Sequence, residues 1–194
     1  MPSDYDYFST PMPLVYKAVA RIYTHTSAPA KPRILDVGAA DGRWGLAARQ
    51  TWPEATIVGV EIRDVESTAA HRPAYDWWLH CNFLSLKTVP YDCPDEFDII
   101  LGNPPFSIAD KLVKRCVANL AVGGNLTFLL RLAFLEGQRR YRNFWPRYQP
   151  QHVDVLPKSP SFTGGGTDTA AYALIRWAKE FREPKTFDWL DNTK

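Results

Sequence analysis

Short apolar runs that break into small or polar residues at their C-terminal ends constrain this chain more than any other feature. Arg33-Ile34-Leu35-Asp36-Val37 runs into Gly38-Ala39-Ala40-Asp41-Gly42, and Thr56 to Ile62 carries Glu61 near its end. Phe97-Asp98-Ile99-Ile100-Leu101-Gly102 runs into Asn103-Pro104-Pro105-Phe106. These runs are rich in Val, Ile and Leu with little alternation, the pattern of strands buried on both faces. Helical segments separate them, which predicts an α/β domain: a mostly parallel sheet with helices on both faces.

Seven strands are expected: the three above, a weak one over 79–84, and 125–132, 152–156 and 170–177. Thr10 reads as an N-cap and Pro11 as the first turn of a helix whose buried face is Leu14, Ala18 and Ile22. A second helix runs through Trp44, Leu46 and Ala48 and stops near Pro53. A third is expected over 65–78, interrupted by Pro73, and a fourth over 108–122, closed by Gly123-Gly124 as its C-cap. The charged tail, 179–194, has Phe187, Trp189 and Leu190 as anchors expected to dock on the domain.

Length bounds the architecture. With 194 residues and 45% hydrophobic content, the chain is one domain with a real core, 1–194. No apolar stretch is long enough for a membrane span, and the N-terminus, with Asp4 and Asp6, lacks a signal peptide. Cys81, Cys93 and Cys116 form no C-x-x-C pair, so neither a disulfide framework nor a zinc site is indicated, and a reducing cytoplasm is the expected location. The net charge of +2 is too small to announce a nucleic-acid binder. Its distribution says more: 131–158 holds six basic residues, among them Arg139, Arg140 and Arg142, against Glu136 and Asp154. Such a segment suits local phosphate contacts, and equally a solvated loop.

Ligands of a doubly wound sheet sit beyond the carboxyl ends of its strands, where the winding reverses. The small residues at 38–42 let a ligand lie against backbone, with helical N–H groups facing it. Glu61 follows Gly42 by nineteen residues, where a carboxylate accepts from a ribose diol. A nicotinamide dinucleotide is still open at that point, but Gly38, Ala40 and Arg43 make an imperfect G-x-G-x-x-G. Asn82 and Phe83 can flank an adenine ring.

Asn103-Pro104-Pro105-Phe106 closes the choice. It resembles the (D/N)-P-P-(F/Y/W) motif of Rossmann-like, S-adenosylmethionine-dependent amino-methyltransferases, and with Phe it is most similar to the adenine-N6 group. An exocyclic amine is a poor nucleophile because its lone pair is delocalised into the ring. The Asn103 side-chain carbonyl and the Pro104 backbone carbonyl can each accept one amine hydrogen and draw the nitrogen toward tetrahedral geometry. Two prolines hold that geometry rigid, and Phe106 offers a face to the base.

Phe8-Ser9-Thr10-Pro11 resembles the cofactor-closing motif of the same family, within an N-terminal segment, 1–28. The order cofactor motif, catalytic motif, substrate loops (133–169) is that of gamma-type DNA adenine methyltransferases, and 131–140 and 161–168 are similar to small, phage-like forms. Ala40 replaces the usual middle glycine, and Asn82 stands where Asp is commoner.

The resemblance implies methyl transfer from S-adenosylmethionine to the N6 amine of adenine in DNA, with loose sequence selectivity and no separate target-recognition domain. Asn103, Pro104, Pro105 and Phe106 are the implied catalytic residues. Thr10, Pro11, Asp36, Gly38, Ala39, Asp41, Glu61, Ile62, Asn82, Phe83 and Asn103 are implied to hold the cofactor. Phe106, Arg139, Arg140, Arg142 and Phe162 are implied to meet the substrate, without a metal. RNA adenine, a protein glutamine amide, or a non-catalytic role as partner subunit are the alternatives. A specificity partner or a homodimer would supply what the chain lacks.

Overall fold

The computed structural model describes residues 9–65, 69–162, 169–180 and 185–193. Its sheet has eight strands: β1 (Arg33–Val37), β2 (Thr56–Glu61), β3 (Trp77–His80), β4 (Phe97–Gly102), β5 (Leu120–Arg131), β6 (His152–Val155), β7 (Tyr172–Ala178) and β8 (Thr186–Trp189). Their order is β3-β2-β1-β4-β5-β7-β6-β8. β1 to β5 run parallel, β7 lies antiparallel between β5 and β6, and β8 pairs parallel with β6. The winding reverses between β1 and β4, so the C-terminal ends of those strands face one crevice.

Helices α1 (Met12–Thr24) and α2 (Arg43–Thr51) cover one face. Leu14, Val15, Ala18, Val19 and Ile22 of α1 pack with Ile34, Ile57 and Ile99 of the sheet. The other face carries α3 (Ala109–Ala118) over Leu35, Ile100 and Leu126, and a short α4 (Gln138–Asn143) followed by the buried Phe144.

Several expectations are corrected. Among the described residues the sheet has eight strands where seven are expected. Among the described residues of 65–78 the only helical turn is a 3-10 turn at Arg72–Ala74; Trp77 and Trp78 belong to β3, paired with Val58 and Gly59. Helix α3 ends at Ala118 and is closed by Asn119, whose N–H donates to Arg115 O and Cys116 O, and β5 starts at Leu120. Gly123-Gly124 therefore lies inside β5 and caps no helix. A Cβ at Gly124 would come within 2.9 Å of the Ala121 and Phe97 carbonyls, so close backbone approach demands the glycine.

Thr10 is not an N-cap: Pro11 holds that position without a side-chain cap, and the threonine hydroxyl is used elsewhere. Of the three expected tail anchors, Leu190 packs against the core, while Phe187 and Trp189 stay exposed on β8. Phe8 and residues 163–168 of the Gly-rich loop lie outside the described residues. Among the described residues no helix is long and apolar enough to cross a membrane.

Candidate active site

A cavity of about 310 Å³ opens at the C-terminal ends of β1, β2 and β4. Its floor is the turn after β1. Gly38, Ala40 and Gly42 all take positive φ, at 74°, 53° and 84°. The turn is pinned to β2: Gly38 N–H and Ala39 N–H both donate to Val60 O, and Ala40 N–H donates to Glu61 Oε2 at 2.9 Å. Ala40 thus occupies a left-handed conformation that favours glycine.

Glu61 is buried, and its Oε1 accepts from both Arg63 N–H and Arg63 Nε at 3.0 Å. Its carboxylate therefore faces the cavity already oriented by backbone and by one guanidinium. Asn82 and Phe83 border the same cavity, Asn82 Oδ1 accepting from Leu84 N–H at 3.0 Å.

On the opposite side, β4 ends at Gly102, where a Cβ would come within 2.6 Å of Val37 O. That close approach brings Asn103 beside the β1 turn; a Cβ at Gly38 would lie 4.0 Å from Pro104 Cα. Asn103 Nδ2 donates to Thr10 Oγ1 at 3.1 Å, and Trp44 Nε1 donates to the same hydroxyl at 3.4 Å. With Nδ2 on Thr10, Oδ1 is the atom the amide can present to an amine. Ser9 Oγ donates to Asp41 Oδ2 at 2.9 Å, and Arg43 Nη1 donates to Thr10 O at 3.0 Å. The Ser9-Thr10 segment is thereby tied to both the turn after β1 and Asn103 at the end of β4.

Of the residues singled out in the sequence, Thr10, Gly38, Ala39, Asp41, Glu61, Ile62, Asn82, Phe83, Asn103 and Pro105 line this cavity. Asp36 and Pro11 do not. Asp36 is wholly buried, its Oδ2 accepting from Tyr75 Oη at 2.6 Å, and burial pushes its carboxyl up to about 7. Asp36 therefore supports the turn from behind and is corrected from a direct ligand contact to a supporting one. Pro11 only starts α1. Phe106 and Pro104 are also outside the cavity wall: the Phe106 ring packs 5.8 Å from Tyr172 and under the Arg131 guanidinium at 5.1 Å. Phe162 packs on the same Tyr172 at 5.3 Å.

The three arginines sit on α4. Arg139 Nη2 pairs with Asp110 Oδ2 at 2.9 Å, Arg140 lies over Phe134 at 5.0 Å, and Arg142 is exposed. The expected basic loop is thus a short helix with two of its arginines already engaged. Arg63, Lys111 and Tyr75 go beyond the residues that the sequence singles out. For Arg63 a signal exists, since a cation two residues after the strand-end carboxylate can fold back onto it. Among the described residues no group of His, Cys, Asp or Glu could hold a metal ion.

Comparison with known proteins decides the family. The model of the Methyltransferase small domain matches residues 18–149. The chain belongs to that family. A curated relative, the tRNA1(Val) (adenine(37)-N6)-methyltransferase of Bacteroides thetaiotaomicron, is 32% identical over 79 residues, which are 39% of this chain and 33% of the relative. The chain spans about a third of that protein's length.

Among solved structures, one described as a class I S-adenosylmethionine-dependent methyltransferase from Listeria monocytogenes superposes with a TM-score of 0.75 at 14% identity. That match covers 95% of this chain and 66% of the other. TrmN from Thermus thermophilus superposes with a TM-score of 0.59 at 20% identity, covering 86% and 48%. These likenesses establish the Rossmann-like methyltransferase fold, and the cofactor of this Methyltransferase small domain is S-adenosylmethionine. The cavity fits it. A buried carboxylate, Glu61, and the aromatic Phe83 border one space with Asn82 and the backbone of the turn at 38–42, a donor and acceptor set that such a cofactor could use.

Proposed function

We propose that this protein transfers a methyl group to the N6 amine of adenine in a nucleic acid, and that its substrate is RNA. The observation that carries the chemistry is the amide of Asn103, held by Thr10 and followed by two prolines at the edge of the cofactor cavity. The bound cofactor supplies an electrophilic methyl on a sulfonium. The chain's own residues do the rest. Asn103 Oδ1 and the Pro104 carbonyl accept the two amine hydrogens, which frees the nitrogen lone pair to face the methyl. A direct displacement at that methyl would leave the amine nitrogen cationic, and one of the hydrogens held by Asn103 Oδ1 and the Pro104 carbonyl would then be released to solvent. Orientation supplies much of the rate, since both partners are held in place before reaction.

The tetrapeptide does not see a 2′-hydroxyl, so it favours neither DNA nor RNA. The preference for RNA rests on the curated relative, which is named for a tRNA adenine. The DNA reading rests on the gamma-type motif order and on the likeness of 131–140 and 161–168 to small, phage-like forms. A glutamine amide is disfavoured by Phe106, because the glutamine enzymes usually read Asn-Pro-Pro-Tyr. A non-catalytic partner role fits poorly with a chain that carries both the tetrapeptide and Glu61.

The test is to incubate the protein with labelled S-adenosylmethionine and, in parallel, a tRNA pool, duplex DNA and single-stranded DNA, then digest to nucleosides. Labelled N6-methyladenosine from the RNA alone is expected. Labelled N6-methyldeoxyadenosine from the DNA arms, with none from RNA, would reverse the substrate assignment.

A further inference from the structure

Pro104 and Pro105 stiffen the backbone of the tetrapeptide, but they do not fix the ring that ends it. Pro105 holds φ at −55° and Phe106 opens a 3-10 turn, Phe106–Ile108, so the turn sets where the Phe106 backbone lies. The side-chain torsions are left to whatever the ring packs against. Its neighbours come from the next two strands of the sheet. Arg131 ends β5 and Tyr172 begins β7, and the two stand directly opposite in the antiparallel ladder, so their side chains leave the same face. Arg131 Nε donates to Tyr172 Oη at 3.2 Å, and the same guanidinium lies 5.1 Å over the Phe106 ring.

Tyr172 is wholly buried, and Phe106 and Phe162 both pack on its ring, at 5.8 and 5.3 Å. Arg131 and Phe106 are only half-buried, so the fixed member of the group is the tyrosine. A guanidinium suits the place between phenol and ring. It is planar, it stacks on an aromatic face, and its Nε–H keeps a set direction while it does so. A lysine carries the same charge but has no plane to lay on a ring. We propose that Arg131, held by Tyr172, is the positioning residue that sets the orientation of Phe106 for the target base. That role rests on the methyl-transfer reading for what Phe106 meets, and on the geometry alone for what holds the ring.

Arg131 is also the first of the six basic residues over 131–158, where charge alone invites a phosphate contact. The geometry separates it from the others. A guanidinium laid on a ring and directed by a buried phenol acts through shape, so replacing it should change how the base is held more than how strongly a polyanion is attracted. Two substitutions tell these roles apart. Arg131→Lys keeps the charge and loses the plane; Tyr172→Phe keeps ring and charge and removes the acceptor that directs the guanidinium. Because phenol, guanidinium and ring act in series, the two losses should not add.

Para-fluorophenylalanine incorporated at position 106 of the full chain tests the contact with no substrate present. Its fluorine resonance should move in Arg131→Lys and in Tyr172→Phe, since the first removes the plane over the ring and the second its anchor, while circular dichroism stays that of the parent. A resonance unmoved in both variants overturns the proposal, whatever the protein methylates. Kinetics with S-adenosylmethionine and the nucleic acid that the parent methylates then read the consequence. Each variant should raise KM for the nucleic acid and lower kcat, by about tenfold in kcat/KM, with the cofactor Kd within about twofold of the parent's and the double variant no worse than the poorer single one. Arg131→Lys as active as the parent overturns the positioning role and makes the residue a plain charge; losses that multiply in the double variant overturn the series. A resonance that moves in a protein that methylates no nucleic acid overturns the methyl-transfer reading instead, and leaves the hold on Phe106 standing.

Discussion

The Tyr75 hydroxyl donates to Asp36 Oδ2 at 2.6 Å and accepts from Gly45 N–H at 3.1 Å, all three groups being buried. One phenol thus joins the end of β1, the first turn of α2 and the 3-10 turn before β3. Its ring fills the space that two glycines leave open: a Cβ at Gly45 would lie 2.1 Å from the ring, and one at Gly59 would lie 2.8 Å from it.

Asp36 makes folding stability depend on pH. Burial raises its carboxyl from 3.8 to about 7 in the native state, outweighing the Tyr75 hydrogen bond that pulls the other way. Between those values the native state holds a proton that the unfolded chain has released, so this group's contribution weakens as pH rises and levels off above about 7. Asp36→Asn should flatten urea-unfolding stability against pH in that window by up to one proton's worth of slope. An unchanged slope would place the carboxylate's titration elsewhere.

Tyr75→Phe keeps the ring and removes the hydroxyl. It leaves Gly45 N–H and the Asp36 carboxyl without that partner, which should cost about 1–3 kcal/mol in chemical denaturation. Gly45→Ala forces the ring to move and should cost about as much by overpacking.

Ala40 is the unusual residue of the cofactor turn, held at φ 53°. Ala40→Gly removes the Cβ penalty of that conformation and should stabilise the protein by about 0.5–1 kcal/mol while leaving the Glu61 contact in place. Thermal unfolding of the two proteins side by side reads this directly. A destabilised glycine variant would show that the Ala40 methyl packs productively.

Asn103→Ala should abolish methyl transfer and leave S-adenosylmethionine affinity within a few-fold in calorimetry. Glu61→Ala should do the reverse, weakening cofactor affinity at least tenfold. Thr10→Val, which keeps shape and loses the hydroxyl, should lower kcat more than it raises the cofactor Kd, and Thr10→Ser should recover most of the loss.

The arginines of α4 give a salt-dependence test. Cations that meet phosphates release counterions. Removing one of them should make the slope of log affinity against log salt shallower by about 0.7 on single strands and about 0.9 on a DNA duplex. Arg142, exposed on α4, should contribute more than Arg139, which must first leave Asp110. An Arg142→Ala slope equal to the parent's would make that side chain a solvated one.

What could be read from the chain follows from burial. β1, β2 and β4 are apolar and buried on both faces, so their boundaries are close to those expected from residue type alone. β8 has no such pattern because all of its residues are exposed; it exists through pairing with β6 and the Arg21–Asp188 ion pair, neither visible locally. The helix expected over 65–78 gives way to tertiary pairing, with Trp77 and Trp78 claimed by β2. At the site, Glu61 and Asn103 are legible because their chemistry depends on identity and position at a strand end. Asp36 is not: a carboxylate before a glycine-rich turn looks the same in sequence whether it faces a ligand or a buried tyrosine.

The strand order has a consequence for synthesis. During synthesis β1 emerges before β2 and pairs with it on one side, but its other neighbour is β4, about sixty residues downstream. Until residues 97–102 emerge, the nascent chain presents Ile34, Leu35 and Val37 on an open parallel edge, with the helices α1 and α2 already able to cover one face. That interval, rather than the finished domain, is when the protein is most exposed to misassociation. Pausing translation before β4 should therefore raise aggregation, and pausing after it should not.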